Sequence, residues 1–255
     1  MGKLPSPVPW LLEGESFPSV SRAWTSTDPA PGLLAAGSTL DVDNLVHAYS
    51  QGIFPWFSVG QPALWWSPDP RMVLYTHSFR LHRSLRKRLI HFRNDPNCEI
   101  RIDKAFGAVI EACATTTRAD QNGTWIVPEM VNAYRALNNA GHAHSIETWI
   151  NGQLAGGLYC VNLGRMVFGE SMFAHETDAS KIAMAALVAF CLAHKISMID
   201  CQQNTRHLAS LGAAEITRER FVEHVSESST RASPGWHFDA LYWNQLLPVR
   251  PFSTS

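Results

Sequence analysis

Six aromatic rings and four prolines fall between Tyr49 and Arg71, YSQGIFPWFSVGQPALWWSPDPR, in a chain that is 10% aromatic overall. Each proline fixes φ and removes a backbone donor, so this stretch can be neither a helix interior nor a central strand. It is expected to be shaped loop and short edge strand that holds Tyr49, Phe54, Trp56, Phe57, Trp65 and Trp66 against something. Any one of these rings alone would be ordinary core. Together, with Gly52 and Gly60 to turn the backbone, they favour the wall of an apolar pocket.

The rest of the chain must supply what that wall faces. At 255 residues and 45% hydrophobic, it can build one large or two modest cores. Its 21 basic and 22 acidic residues balance to −1, so a nucleic-acid surface would have to be a local patch. Cys98, Cys113, Cys160, Cys191 and Cys201 are odd in number and show no CxxC spacing, which points away from a disulfide framework and towards a reducing cytoplasm. There is no signal-like start and no run of the ~18 apolar residues a spanning helix needs, so a soluble protein without a membrane partner is expected. The opening Met1-Gly2-Lys3-Leu4-Pro5-Ser6 fits the loose myristoylation pattern, which we take as coincidence.

Residues 1–31 carry six prolines and no usable period, and read as an extended arm laid over the surface. Ser38-Thr39-Leu40-Asp41 starts a helix in which Val42, Leu45, Val46 and Tyr49 share a face, ended by Gly52. Met72–Tyr75 is a short β-like run. In SFRLHRSLRKRLIHFR, Leu81, Leu85 and Leu89 recur every fourth residue and leave Arg80, Arg83, Arg86, Lys87 and Arg88 on the other faces, with Arg93 close behind. A charge run is commonly just a solvated face. This one is of a single sign and lacks the acids that would make i,i+4 pairs, which favours phosphate binding.

Two helices follow, Asp103–Thr115 with Phe106, Val109, Ile110 and Cys113 inward, and Pro128–Asn139 with Val131, Tyr134 and Leu137 inward. Strands at His144–Ile150, Gln153–Val161 and Arg165–Phe173 form a meander with turns at Asn151-Gly152 and Asn162-Leu163-Gly164. Asp178 then caps an Ala-rich helix to His194, and Ile196–Cys201 is a buried strand. The order predicts an α/β protein whose C-terminal part is acetyltransferase-like (GNAT), with a mixed, mostly antiparallel sheet. Two domains are expected: residues 1–72, an arm and small α/β domain with the aromatic loop, and residues 73–255, the catalytic domain.

That fold raises one function, acyl transfer from coenzyme A. Such enzymes hold pyrophosphate on a glycine-rich turn whose N–H groups point at phosphate. The corresponding junction, Phe173-Ala174-His175-Glu176-Thr177-Asp178-Ala179, has no glycine and two acids that would repel it. A non-catalytic RNA- or peptide-binding module is a further alternative, but it leaves two carboxylates unexplained. Glu170 lies in a strand, and Asp200 and Gln202 lie two apart on another, so that pair should share a face. Carboxylates among Phe168, Met172, Ile199 and Cys201 are costly without partners. Either acid could be half of a structural ion pair with an internal arginine such as Arg71 or Arg206. His142 and His144 stand at strand spacing, but no third or fourth ligand does, so no metal is expected.

The words YSQGIFPWF, WWSPDPR, GTWI at Gly123–Ile126, GHAHSIE at Gly141–Glu147, FGESMF and ASLGA at Ala209–Ala213 occur in the order in which similar words stand in the bacterial leucyl/phenylalanyl-tRNA protein transferases. The resemblance covers about residues 32–222. It implies an enzyme that moves Leu or Phe from aminoacyl-tRNA to acceptor proteins beginning with Arg or Lys, marking them for degradation. The ester is already activated, so neither ATP nor a cofactor is implied. The family's donor pocket maps onto Tyr49, Trp56 and Trp125, with Leu158, Met172 and Leu187 as apolar lining. Leu158 and Leu187 stand where the family's pattern has Met and Phe. If the resemblance holds, Glu170 is expected to meet the cationic acceptor, Asp200 to be either the general base or an anchor for that acceptor, and Gln202 to orient the amine or Asp200. The single-sign run Arg80, Arg83, Arg86, Lys87 and Arg88 is then expected to meet the tRNA backbone, and a monomer is expected.

Overall fold

The computed structural model describes residues 7–116 and 126–247. Proline density keeps the first strands short, and they make a small sheet of four. These are β1 (Trp10–Leu11), β2 (Leu33–Gly37), β3 (Phe54–Pro55) and β4 (Leu64–Trp66), in the order β1-β2-β4-β3, with α1 (Val42–Ser50) between β2 and β3. α1 starts at Asp41, whose side chain accepts from the Asn44 N–H at 2.9 Å. Ser38, part of the expected start, is instead a left-handed residue at φ 63°.

The second sheet takes β5 (Arg71–Tyr75), β6 (Cys98–Ile102), β7 (Ala143–Ile150), β8 (Gln153–Leu163), β9 (Met166–Ala174), β10 (Met198–Asp200) and β11 (Ala214–Ile216). Their order is β11-β5-β10-β9-β8-β7-β6. Every pairing is antiparallel except β9 with β10, so the sheet is mixed. The β7–β8 connection is Asn151-Gly152 at φ 52° and 72°, the positive pair that a two-residue hairpin turn demands.

The helices are α2 (Arg83–Asn94), α3 (Phe106–Thr115), α4 (Pro128–Asn139), α5 (Ala179–Ala193), α6 (Arg206–Ser210) and α7 (Arg218–Ser229). Beyond its first turn, which carries Lys181, α5 is apolar on nearly all sides and therefore buried, packed across β7 and β8. Its first turn lies so close to β8 that a Cβ on Gly156 would stand 2.6 Å from the Ala179 methyl.

Several expectations change. The arm is no surface strap, because Leu11, Phe17 and Ala23 are buried and the Phe17 ring meets Trp65 edge-on at 4.8 Å. The aromatic stretch is mostly core: Tyr49, Phe54, Phe57, Trp65 and Trp66 are buried and only Trp56 is half-exposed. The basic helix begins at Arg83, so Arg80 and Leu81 precede it, and the Arg80 N–H donates to the Leu211 carbonyl at 2.8 Å. Asp178 stands at the cap position of α5 but is left-handed and caps no N–H; its carboxylate holds Lys181 at 2.7 Å and Arg88 at 3.8 Å. β10 ends at Asp200, so Gln202 is not on the strand, and at φ 54° it cannot share a strand face with Asp200.

Candidate active site

β9 and β10 are paired only at Val167↔Ile199 and Phe168↔Asp200. Beyond those pairs the two parallel strands diverge, and a cavity of about 340 Å³ opens in the fork. Gly169 to Met172 of β9 form one wall and Asp200, Cys201 and Gln202 the other. Leu158, which pairs with Met172 across β8 and β9, lies behind, and Met184 and Leu187, one turn apart on α5, complete the apolar lining. Gly169 keeps the apex close, since a Cβ there would be 3.2 Å from the Asp200 carbonyl oxygen.

Asp200 is fully buried, and Arg71 meets it with two bonds, Nε to Oδ1 at 2.8 Å and Nη2 to Oδ2 at 2.7 Å. The structural ion pair is thus the arrangement found, with Arg71 as the partner. The guanidinium sits between the rings of Phe54 and Phe221, at 4.8 and 4.4 Å, and its Nη1 donates to the Gly52 carbonyl. Oδ1 of Asp200 also accepts from the Gln202 backbone N–H at 3.0 Å. A buried arginine therefore fixes the carboxylate, and the carboxylate fixes the left-handed turn that aims Gln202 back across the fork.

The Gln202 side chain spends both its N–H donors there. Nε2 donates to the Gly169 carbonyl at 2.7 Å and to Glu170 Oε1 at 3.2 Å. Glu170 Oε1 accepts from the Tyr49 hydroxyl at 2.8 Å, Oε2 from the Tyr134 hydroxyl at 3.3 Å, and the two phenols hydrogen-bond to each other. Burial pushes the Glu170 carboxyl up to about 8, with Asp200 adding to the rise while the two tyrosines and Arg71 oppose it. Burial and the facing carboxylate likewise hold both phenols well above their ordinary value.

Of the residues expected in the active site, Leu158, Glu170, Met172, Leu187, Asp200 and Gln202 come together around this cavity. Tyr49 reaches it through its hydroxyl on Glu170. Trp56 does not line it; its ring lies 5.4 Å from Trp66, whose Nε1–H donates to the Trp56 carbonyl. Trp125 lies outside the described residues. Met184, Tyr134 and His207 were not anticipated as site residues. Helical spacing from Leu187 pointed to the first and the inward face of α4 to the second, but no sequence signal marked His207.

Arg80, Arg83, Arg86, Lys87 and Arg88 are all exposed. Leu85, Leu89 and Phe92 face the core beneath α2. Arg86 and Arg93 donate to the Leu246 and Leu247 carbonyls at 3.3 and 3.5 Å, and Arg88 faces Asp178. Among the described residues Arg83 and Lys87 make no ion pair. His144, one of the two strand histidines, is taken up by Asp103 at 2.6 Å and by the Trp236 ring stacked on it at 4.0 Å.

The family profile described as "Leucyl/phenylalanyl-tRNA protein transferase" matches residues 73–226, and the one for its N-terminal domain matches residues 38–69. A leucyl/phenylalanyl-tRNA–protein transferase of Polaromonas sp. (strain JS666) is 68% identical over 97% of each chain. One of Albidiferax ferrireducens is 58% identical over 100% of each. Among solved structures, FemX aligns with a TM-score of 0.44 at 9% identity, over 72% of this chain and 71% of that one.

Proposed function

The chain belongs to the leucyl/phenylalanyl-tRNA protein transferase family and is an aminoacyltransferase, and from that premise we propose that the β9–β10 fork is where Leu or Phe passes from tRNA to an N-terminal Arg or Lys. The observation that carries the reading is the Gln202 amide. Its two N–H groups are committed to Gly169 and Glu170, so the atom left over is Oε1, an acceptor at the cavity wall. An acceptor there suits an attacking amine, which must point its lone pair at the ester carbonyl while its N–H groups are held from the side. With pKa ~7.7–8.0 an α-amine is partly neutral at pH 7, so orientation carries most of the rate.

In this reading Gln202 touches the amine, Glu170 presents a carboxyl that a bound cationic acceptor drives to its ionised form, and Asp200 acts through Gln202 as a positioning residue. Leu158, Met172, Met184 and Leu187 take the donor side chain. A methylene more or less in such a pocket is worth only about 1–3 kcal/mol, so both Leu and Phe should be accepted. Trp56, with its half-exposed ring, and Trp125 are proposed for an outer aromatic wall. The exposed basic face of α2 and Arg80 is proposed to take the tRNA backbone. Two domains divided near residue 72, the second GNAT-like, are supported by the separate small sheet and by the parallel β9–β10 pair joined through α5. A cytoplasmic monomer without a membrane partner belongs to the same proposal, and among the described residues no helix is long and apolar enough to cross a membrane.

The test is transfer of labelled Leu or Phe from preformed aminoacyl-tRNA to a peptide beginning with Arg or Lys, beside a sample given acetyl-CoA. Label should reach the peptide from tRNA alone. Label from acetyl-CoA alone would restore the coenzyme A reading, which the acids Glu176 and Asp178 beside the start of α5 disfavour. RNA retention without any transfer would restore the binding module.

A further inference from the structure

We propose that His207 is the proton carrier of this site, taking the proton from the attacking amine and delivering it to the departing ribose oxygen. The assignment rests on the reading of the fork given above. The ionisable side chains that line the cavity are Tyr159, Glu170, Asp200, Cys201 and His207. Both oxygens of Asp200 are occupied by Arg71 and the Gln202 N–H, and both oxygens of Glu170 by Tyr49, Tyr134 and Gln202. Tyr159 is fully buried, with its ring edge-on to Phe106 and Tyr134. Cys201 is buried too, its thiol pushed up by that burial and donating to the Ile199 carbonyl.

His207 differs from all four. It stands in the single turn of α6, whose start is pinned by the Thr205 hydroxyl accepting from the Leu208 N–H at 3.2 Å. The residue is exposed at the cavity mouth, and among the described residues its ring makes no hydrogen bond or ion pair, so both ring nitrogens are available to substrate and water. Partial burial holds the imidazole below its ordinary value, and the Lys181 ammonium on α5 adds to this. Arg206 lies beside it on α6, while across the cavity stand Glu170 and the Asp200–Arg71 pair. The ring is therefore neutral near pH 7, the form a base needs.

The step balances without a co-reactant. The amine lone pair forms the new C–N bond, one N–H proton passes to the free imidazole nitrogen, the C–O bond to the ribose breaks, and the same proton ends on the ribose hydroxyl. The neutral imidazole is regenerated. Direct contact or one bridging water serves this transfer equally.

Full-length wild type, His207→Gln and His207→Ala should be compared with saturating Phe-tRNA and a peptide beginning with Arg. We expect kcat to fall ~10²-fold in both variants while KM for tRNA and peptide stays within about twofold. Added imidazole should restore His207→Ala in proportion to its neutral fraction, which a merely structural role would not allow. A His207→Gln enzyme at the wild-type rate, or a kcat loss that imidazole does not restore, overturns the assignment. Wild type inactive with aminoacyl-tRNA sinks the reading of the fork and this assignment with it; an active wild type with an unaffected His207→Gln sinks the assignment alone.

Discussion

Arg71 carries more of the site's geometry than any residue that lines it. It is buried between two rings, bonded twice to Asp200 and once to Gly52, and so ties the aromatic stretch to the strand end from which Gln202 turns. Removing one partner of such a pair leaves a charge buried alone, which costs ~3–5 kcal/mol, whereas replacing both with apolar side chains of similar volume is often close to neutral. Asp200→Asn should therefore lower the denaturation midpoint and kcat together, and leave the acceptor KM close to wild type. The paired variant Arg71→Met with Asp200→Leu should recover most of the stability and none of the rate, because the Gln202 backbone N–H has lost its acceptor. A paired variant with wild-type kcat would show that Gln202 needs no such anchor. Glu170→Gln, by contrast, removes a carboxyl that a bound cationic acceptor would ionise, and its effect should appear mainly in KM.

Among the elements, α2 presents the clearest division of labour. Leu85, Leu89 and Phe92 hold one face to the core, the carbonyls of Leu246 and Leu247 occupy Arg86 and Arg93, and Arg83 and Lys87 remain unpaired among the described residues. Arg83→Ala with Lys87→Ala should weaken tRNA binding about equally for all tRNA sequences and flatten the salt dependence by ~0.7–0.9 for each phosphate that is no longer neutralised. An unchanged slope removes the helix from the interface. The fourfold leucine spacing made this helix legible, as the inward residues of α3 and α4 and the Asn151-Gly152 turn made theirs. Its start was not legible, because the Arg80 N–H is taken by the Leu211 carbonyl, a partner distant in sequence. β1, β2 and β11 escaped for the same reason: two to five residues have no measurable period, and their pairing is decided by strands remote in the chain. The lining residues Leu158, Met172 and Leu187 came from the family resemblance and not from any spacing, and the choice of Arg71 over Arg206 for Asp200 could be read from neither. Nor could the turn at Gln202, since a shared face holds only while a strand continues, and β10 stops at Asp200.

At the scale of the whole molecule, the Glu170 cluster makes folding depend on pH in a direction opposite to most acids. Its carboxyl is raised from 4.5 to about 8 in the folded chain, chiefly by burial. Between those values the folded protein keeps a proton that the unfolded chain has released, so stability is full below the lower value and is lost as pH rises through the upper one. One proton corresponds to ~1.4 kcal/mol per pH unit at most, and because the cavity admits solvent we expect about 2 kcal/mol across the window rather than the full displacement. Other groups titrate in the same range: burial holds His194, His207 and His224 below their ordinary value, and these favour the folded state as pH rises. A raw stability curve would mix the two signs. The difference between wild type and Glu170→Gln cancels the histidines, since the amide keeps the shape and cannot ionise. Denaturant midpoints of both proteins at pH 5 and pH 8 should show the variant gaining on wild type as pH rises. If the gap stays constant between those two values, Glu170 is ionised in the folded protein throughout, and the hydrogen bonds from Tyr49, Tyr134 and Gln202 outweigh its burial.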